Sequence, residues 1–378
     1  MKSLALLVVA AALCLTAPSS TAGGDCSLSL IRTTRITEAL GRSQTARDNA
    51  RAVCIDSEGT LHMVWEDARR GNFDIYYTRL SPDTLYPDMR VCATKGPSTH
   101  ACIAWHDGDV YVLWNEKEGF YHQIHYARIS NGEVAVCKRL TEGKLEFQCP
   151  VSVVTPDGTL HVAWHEGPYK QTQVVHGIME NDSLVVREVV STGHPEAFRP
   201  DLACDTDGRI MIAWFQGLEI ASRLWDGTSW GDAAIVARTQ ARPWRLSLVS
   251  RSPEEWAIAW FDATEAAYDV MAKFSDGKTW YGETRINTSV IGFYPSLAVL
   301  TGGGIVAVWE ARYPEADVYT MEMRCYDGKE WGPVLEIFRE RERARYGSMA
   351  AYQDLLHVVY YSPKPGNHEI YHALLRSE

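Results

Sequence analysis

Arg51, His100, Cys149, Arg199, Arg242, Tyr294 and Tyr346 recur at one place in a repeating chain, roughly fifty residues apart. Proline or a small residue follows each, as in Arg199-Pro200, Arg242-Pro243 and Tyr294-Pro295. A guanidinium stays charged and its N–H fork matches a carboxylate. Imidazole moves protons near neutral pH, and a phenol can donate or attack. Gathered in one opening, such groups suit an anionic ligand. A second recurring place adds Glu66, Asp67, Arg69, Asn115, Glu116, His165, Glu166, Gln216, Asp262, Glu310 and Arg312. Acids and arginines around one rim also neutralise each other, so each residue of this set carries a structural reading beside the functional one.

Both sets owe their spacing to a seven-fold repeat. An aromatic residue falls at Trp65, Trp114, Trp164, Trp214, Trp260, Trp309 and Tyr360, at intervals of 46 to 51 residues. A period of that size signals one supersecondary unit copied around an axis or along a solenoid. Each copy reads as short β-forming runs, exemplified by Leu61–Trp65 and Asp74–Leu80, with turn signals such as Asp226-Gly227, Asp276-Gly277 and Asp327-Gly328. Helical periodicity is absent over any long stretch. The expectation is an all-β, seven-bladed β-propeller of four-stranded antiparallel blades. The last copy ends after its third strand, while residues 30–37 read like a fourth strand. The N-terminal strand is therefore expected to complete the last blade and close the ring. Loops entering the first strands and loops joining second to third strands then share one face around the channel mouth.

Residues 1–22 read as a secretory signal: Lys2, an apolar stretch from Leu4 to Leu15, then Ser20-Thr21-Ala22. Residues 23–378 form one expected domain. The chain of 378 residues has a net charge of −11, which opposes nucleic-acid binding and leaves no basic stripe for a membrane surface. No later segment approaches the roughly 20 apolar residues of a membrane span. Eight cysteines follow the signal, so disulfides are allowed, with connectivity open. Cys54, Cys102 and Cys204 fall on innermost strands, where small buried apolar residues are also expected. No Cys-x-x-Cys pair exists, and His122 and His125 alternate across a strand, so neither a metal nor another cofactor is expected. His62, His161 and His357 share one strand position and read as architecture.

The first copy resembles a sialidase in Arg51-Ala52, Gly59-Thr60-Leu61, Trp65-Glu66-Asp67-Ala68-Arg69 and Asp74-Ile75. Ser275-Asp276-Gly277-Lys278-Thr279-Trp280 is similar to that superfamily's BNR/Asp-box turn, in abbreviated form. The resemblance, to a divergent and seven-bladed relative, implies that Arg51, Arg199 and Arg242 clamp a carboxylate. It implies Asp67 or Asp74 as acid/base and Tyr294 or Tyr346 as nucleophile, in an exo-acting glycoside hydrolase. Arg69, His100, His165, Glu66 and Glu310 would line the substrate site. The expected partner is an extracellular glycan or glycoconjugate, and the protein a secreted monomer, extracellular or periplasmic. Two readings compete: a non-catalytic scaffold for a protein partner, and a uronate polysaccharide lyase using His100, His122 or His165. Trp244 and Tyr313 lie outside the repeat template near the mouth and are candidate stacking residues for a sugar.

Overall fold

The computed structural model describes residues 27–38, 40–242, 244–263, 268–288, 291–315, 318–338, 344–363 and 366–377. The signal-like segment, Cys14 and Cys26 lie outside them. The described residues form seven antiparallel sheets and no helix, so none could cross a membrane as a helix. Each sheet is one blade, its strands running outward in chain order from the channel. The seventh blade departs in the way the sequence predicts. Leu28–Arg35 pairs with Glu369–Ser377 as its outermost strand, in the register Thr33↔Ala373. Arg35 and Thr37 both bond Glu369, fastening the closure.

The apolar interior is divided among the seven junctions between blades. Each junction buries one repeat aromatic; Trp114, for example, packs with Val64, Tyr77 and Ile103 between blades 1 and 2. Trp65 and Tyr360 serve in the same way where blade 7 meets blades 1 and 6. All seven aromatics are at most 1% exposed. Burying one indole removes about 150–250 Å² from water, an upper figure of roughly 4–6 kcal/mol. His62, His161 and His357 behave as architecture, bonding Tyr77, His176 and His372 on the adjacent strand. Cys92–Cys137 is a disulfide joining blades 1 and 2, Cys325 is also disulfide-bonded, and Cys54, Cys102, Cys149 and Cys204 are free.

Blade 1 is irregular. Its innermost strand is split into Ser43–Gln44 and Val53–Ile55, both paired with Leu61–Asp67. Residues 45–52 leave the sheet between them. This insertion shifts the entry position. Residue partners of the position before each repeat aromatic are Ala52, Cys102, Val151, Asp201, Ser247, Ser296 and Ser348. Counting back two residues gives Ala50, His100, Cys149, Arg199, Arg245, Tyr294 and Tyr346. The register thus corrects two of the sequence assignments: Ala50 stands where Arg51 was placed, and Arg245 where Arg242 was placed. Arg242-Pro243 resembles Arg199-Pro200 in sequence, but the register of blade 5 puts the entry position three residues later, at Arg245.

Candidate functional site

The inner strands of blades 2, 3, 4, 6 and 7 bulge where they begin. His100, Cys149, Arg199, Tyr294 and Tyr346 all have φ between 49° and 58°, a left-handed conformation uncommon for bulky residues. Such a bulge turns a backbone N–H out of the ladder, and that N–H needs an acceptor. For blades 2, 3, 4 and 7 the preceding blade supplies it, from the residue just after its repeat aromatic. Glu66 accepts from His100 N at 2.7 Å, Asn115 from Cys149 N at 3.0 Å, and His165 Nδ1 from Arg199 N at 3.3 Å. Glu310 accepts from the Tyr346 backbone in the same way and also bonds Arg345. Glu66, His165 and Glu310, read from sequence as lining a substrate site, are therefore clamps between blades. They are almost wholly buried.

The next residue along is a second architectural position. Asp67 and Glu166 accept the indole N–H of Trp65 and Trp164 at 3.1 and 2.9 Å, and Gln216 that of Trp214. Asp67 is fully buried and also takes Ser43 and a bidentate pair from Arg69, which hold its carboxyl below the usual range despite burial. Asp74 lies opposite Asp67 in the register and bonds Arg90 at 2.6 Å. Arg69 divides itself between Asp67 and Asp88 over the Tyr76 ring. These three residues brace the outer part of blade 1. The recurrence of an acid or amide two residues after the tryptophan was the sequence signal for this role.

The loop 45–52 lies across the channel mouth and decides its electrostatics. Asp48 accepts Arg47 Nε at 3.1 Å, Arg199 Nη2 at 3.0 Å and His100 Nε2 at 3.2 Å. Burial pushes its carboxyl up, yet these hydrogen bonds and charges win and hold it far below the ordinary range. Thr45 donates to Tyr346 O and Asn49 to Pro150 O, tying the loop to blades 7 and 3. The three expected clamp arginines do not share one anion. Arg199 holds Asp48, Arg242 holds Glu196 at 2.7 Å, and Arg51 holds Asp201 at 2.6 Å. Arg51 faces a cavity of about 350 Å³ deeper along the inner strands, lined also by Cys54, Ile103, Ser152 and Cys204.

What remains open at the mouth is aromatic and cationic. Trp244 is 39% exposed, with the Arg47 and Arg199 guanidiniums 4.6 and 4.3 Å from its ring centroid. Arg242 lies 4.0 Å over Phe198. Tyr294 and Tyr346 meet edge to face at 4.9 Å, and burial pushes the Tyr294 phenol up to about 12. Arg47, over the Trp244 ring, also interacts electrostatically with both phenols. Tyr313 is placed elsewhere, bonded to Glu322. Asp48, His100 and Cys149 offer ligand atoms within 4.8 Å of one another, the arrangement of a partial metal site. Arg199 and Arg47 already occupy the carboxylate, and burial pushes the Cys149 thiol up to about 12, so the protein's own cations fill that place.

His165 makes the site acid-sensitive. Burial, then the Arg199 charge, pushes it down to about 3, and its Nδ1 must stay unprotonated to accept from Arg199 N. His161 and His357 are pushed to about 4 and His372 to about 3, chiefly by burial. The unfolded chain binds these protons near pH 6.5 whereas the folded chain does not, so stability falls as pH drops below 6.5. By pH 5 each histidine contributes a loss of about 2 kcal/mol. His100, raised by Asp48 despite its burial, works in the opposite direction. Urea midpoints measured from pH 7 to 5 are expected to fall steeply, and His165→Gln is expected to flatten the slope. A flat profile over that range would contradict the assignment.

No family model matches the chain, and no curated protein matches its sequence. Solved structures do resemble it. A protein of unknown function from Dyadobacter fermentans superposes with a TM-score of 0.54 at 13% identity, over 74% of this chain and 95% of that one. The Hadza microbial sialidase Hz136 gives 0.51 at 12% identity, over 88% of this chain and 65% of that one, just under two thirds of its length. NanB with optactamide gives 0.51 at 10% identity, over 91% and 70%. At such identities the likeness is one of fold alone, that of a β-propeller.

Proposed function

We propose that this protein is an exported glycan-binding propeller that recognises an anionic sugar at its channel mouth. The carrying observation is Trp244, an exposed indole flanked by Arg47 and Arg199 and neighboured by the Arg242–Phe198 pair. An aromatic face stacks on the apolar side of a sugar ring, and adjacent guanidiniums complement its acidic group. Arg47 and Arg242 each keep 44% of the side chain exposed, so their donors reach solvent. The Cys92–Cys137 disulfide supports an oxidising compartment, in keeping with the signal-like N-terminus.

Binding is favoured over hydrolysis because Asp67 and Asp74 are buried beneath their arginines. An exo-glycosidase remains the second reading, supported by the packing of Tyr346 against Tyr294 beside the Glu310–Arg345 pair. A glycan array carrying sialosides and uronate polymers, run with release assays, separates these readings. Retention of acidic glycans without turnover is the expected result. Trp244→Ala is expected to weaken it by about tenfold or more while leaving the melting temperature unchanged. Release of a terminal acidic sugar would favour the hydrolase, and unsaturated uronate products the lyase. Silence on every glycan would leave the scaffold reading.

A further inference from the structure

Arg245 is the largest buried charge that none of the preceding chemistry uses. It is 0% exposed and belongs to the entry position of blade 5. Its Nη2 reaches past blade 6 to blade 7, donating to Gly347 O at 2.7 Å and approaching Ser348 Oγ at 3.4 Å. Its Nε and Nη1 have no protein partner, so three of its five N–H groups are unmatched. The Ser296 hydroxyl is likewise fully buried and unmatched. Ser296 holds the same register position in blade 6, the blade between, as Ser348 in blade 7.

An unpaired guanidinium in a low-dielectric interior is strongly unfavourable, and a carbonyl supplies a hydrogen bond without cancelling the charge. The nearby acids are already engaged. Asp48 holds Arg47 and Arg199, Asp201 holds Arg51, and Glu310 holds Arg345. None of these carboxylates bonds Arg245, whose partners among the described residues are Gly347 O and Ser348 Oγ alone. Arg245 is thus a buried charge with no carboxylate partner there. Water would satisfy the N–H groups but not the charge.

We propose that the channel holds a small monovalent anion of chloride size, bound by Arg245 and the Ser296 hydroxyl between blades 5, 6 and 7. The anion is structural, set beneath the mouth rather than in it, and it closes the ring electrostatically where Arg245 spans two blades. This inference does not depend on the glycan reading.

The full chain, purified without halide, is melted in sodium gluconate and in sodium chloride at one ionic strength. Chloride is expected to raise the melting temperature by about 2–4 °C in a saturable manner, as for any ligand specific to the folded state. Bromide should do the same, and crystals grown in bromide should show an anomalous peak at Arg245. Arg245→Met is expected to abolish the halide response, and Ser296→Ala to shift its midpoint to higher concentration. Equal melting in gluconate and chloride, or bromide-grown crystals lacking that peak, would overturn the proposal. So would a response that survives in Arg245→Met. Should that variant not fold, the bromide peak in the unmodified protein decides.

Discussion

A chain that begins at Glu38 is expected to lose its cooperative unfolding transition, whereas one that begins at Gly23 keeps it. The difference is the strand Leu28–Arg35, which supplies the outer edge of blade 7 from the other end of the sequence. Without it, Glu369–Ser377 presents an unpaired edge, the arrangement most prone to pairing with a second chain. The shortened chain also loses Arg35 and Thr37 from Glu369, leaving a carboxylate that is 1% exposed without those partners. Loss of an entire edge strand approaches the 5–15 kcal/mol that holds a typical domain together. Size-exclusion chromatography and urea unfolding would read the effect. A peptide of residues 27–38 added in trans should partly restore the transition. A monomeric shortened chain with an unchanged midpoint would refute ring closure as the source of cooperativity.

The second large effect is expected from Asp48→Ala, at about 3–5 kcal/mol of lost stability, the range for removing one partner of a buried ion pair. Asp48 is the common acceptor of Arg47, Arg199 and His100, so its loss strands several donors at once. Asp48→Asn keeps the hydrogen-bonding shape and should lose less. Its pH dependence has a defined sign. The folded-state carboxyl is held below its unfolded value, so its contribution is complete above about pH 4 and declines as pH falls further. The gap between variant and parent should therefore be widest at neutral pH and narrow in strong acid. A gap under about 1 kcal/mol at pH 7 would show that the charges are solvated and the loop only loosely seated.

The architecture was legible because it rests on repetition. Seven aromatics at one spacing announced seven junctions, and the unmatched first strand announced the closure. The site was less legible, for two physical reasons. A repeated polar residue beside the aromatic looks like a pocket lining, yet Glu66, His165 and Glu310 face the bulged backbone of the next blade. Nothing in the spacing distinguishes an acceptor for an amide from an acceptor for a ligand. The channel mouth is also occupied by residues 45–52, which precede the first repeat aromatic and have no counterpart in other copies. Arg47 and Asp48 were missed because periodicity draws the eye to what recurs. Arg245 was missed through a three-residue slip caused by the attractive Arg242-Pro243 dipeptide.

At four of the seven junctions a side chain clamps a bulged amide, each time from a blade to its successor. The entrance residues His100, Cys149, Arg199 and Tyr346 are therefore each shaped by a side chain encoded about thirty-five residues earlier. A blade grafted alone into another propeller would arrive without the group that seats its first strand, and would leave its own donor pointing at a foreign amide. The natural unit for transplantation, duplication or loss runs from one repeat aromatic to the next entrance, offset by half a module from the visible blade.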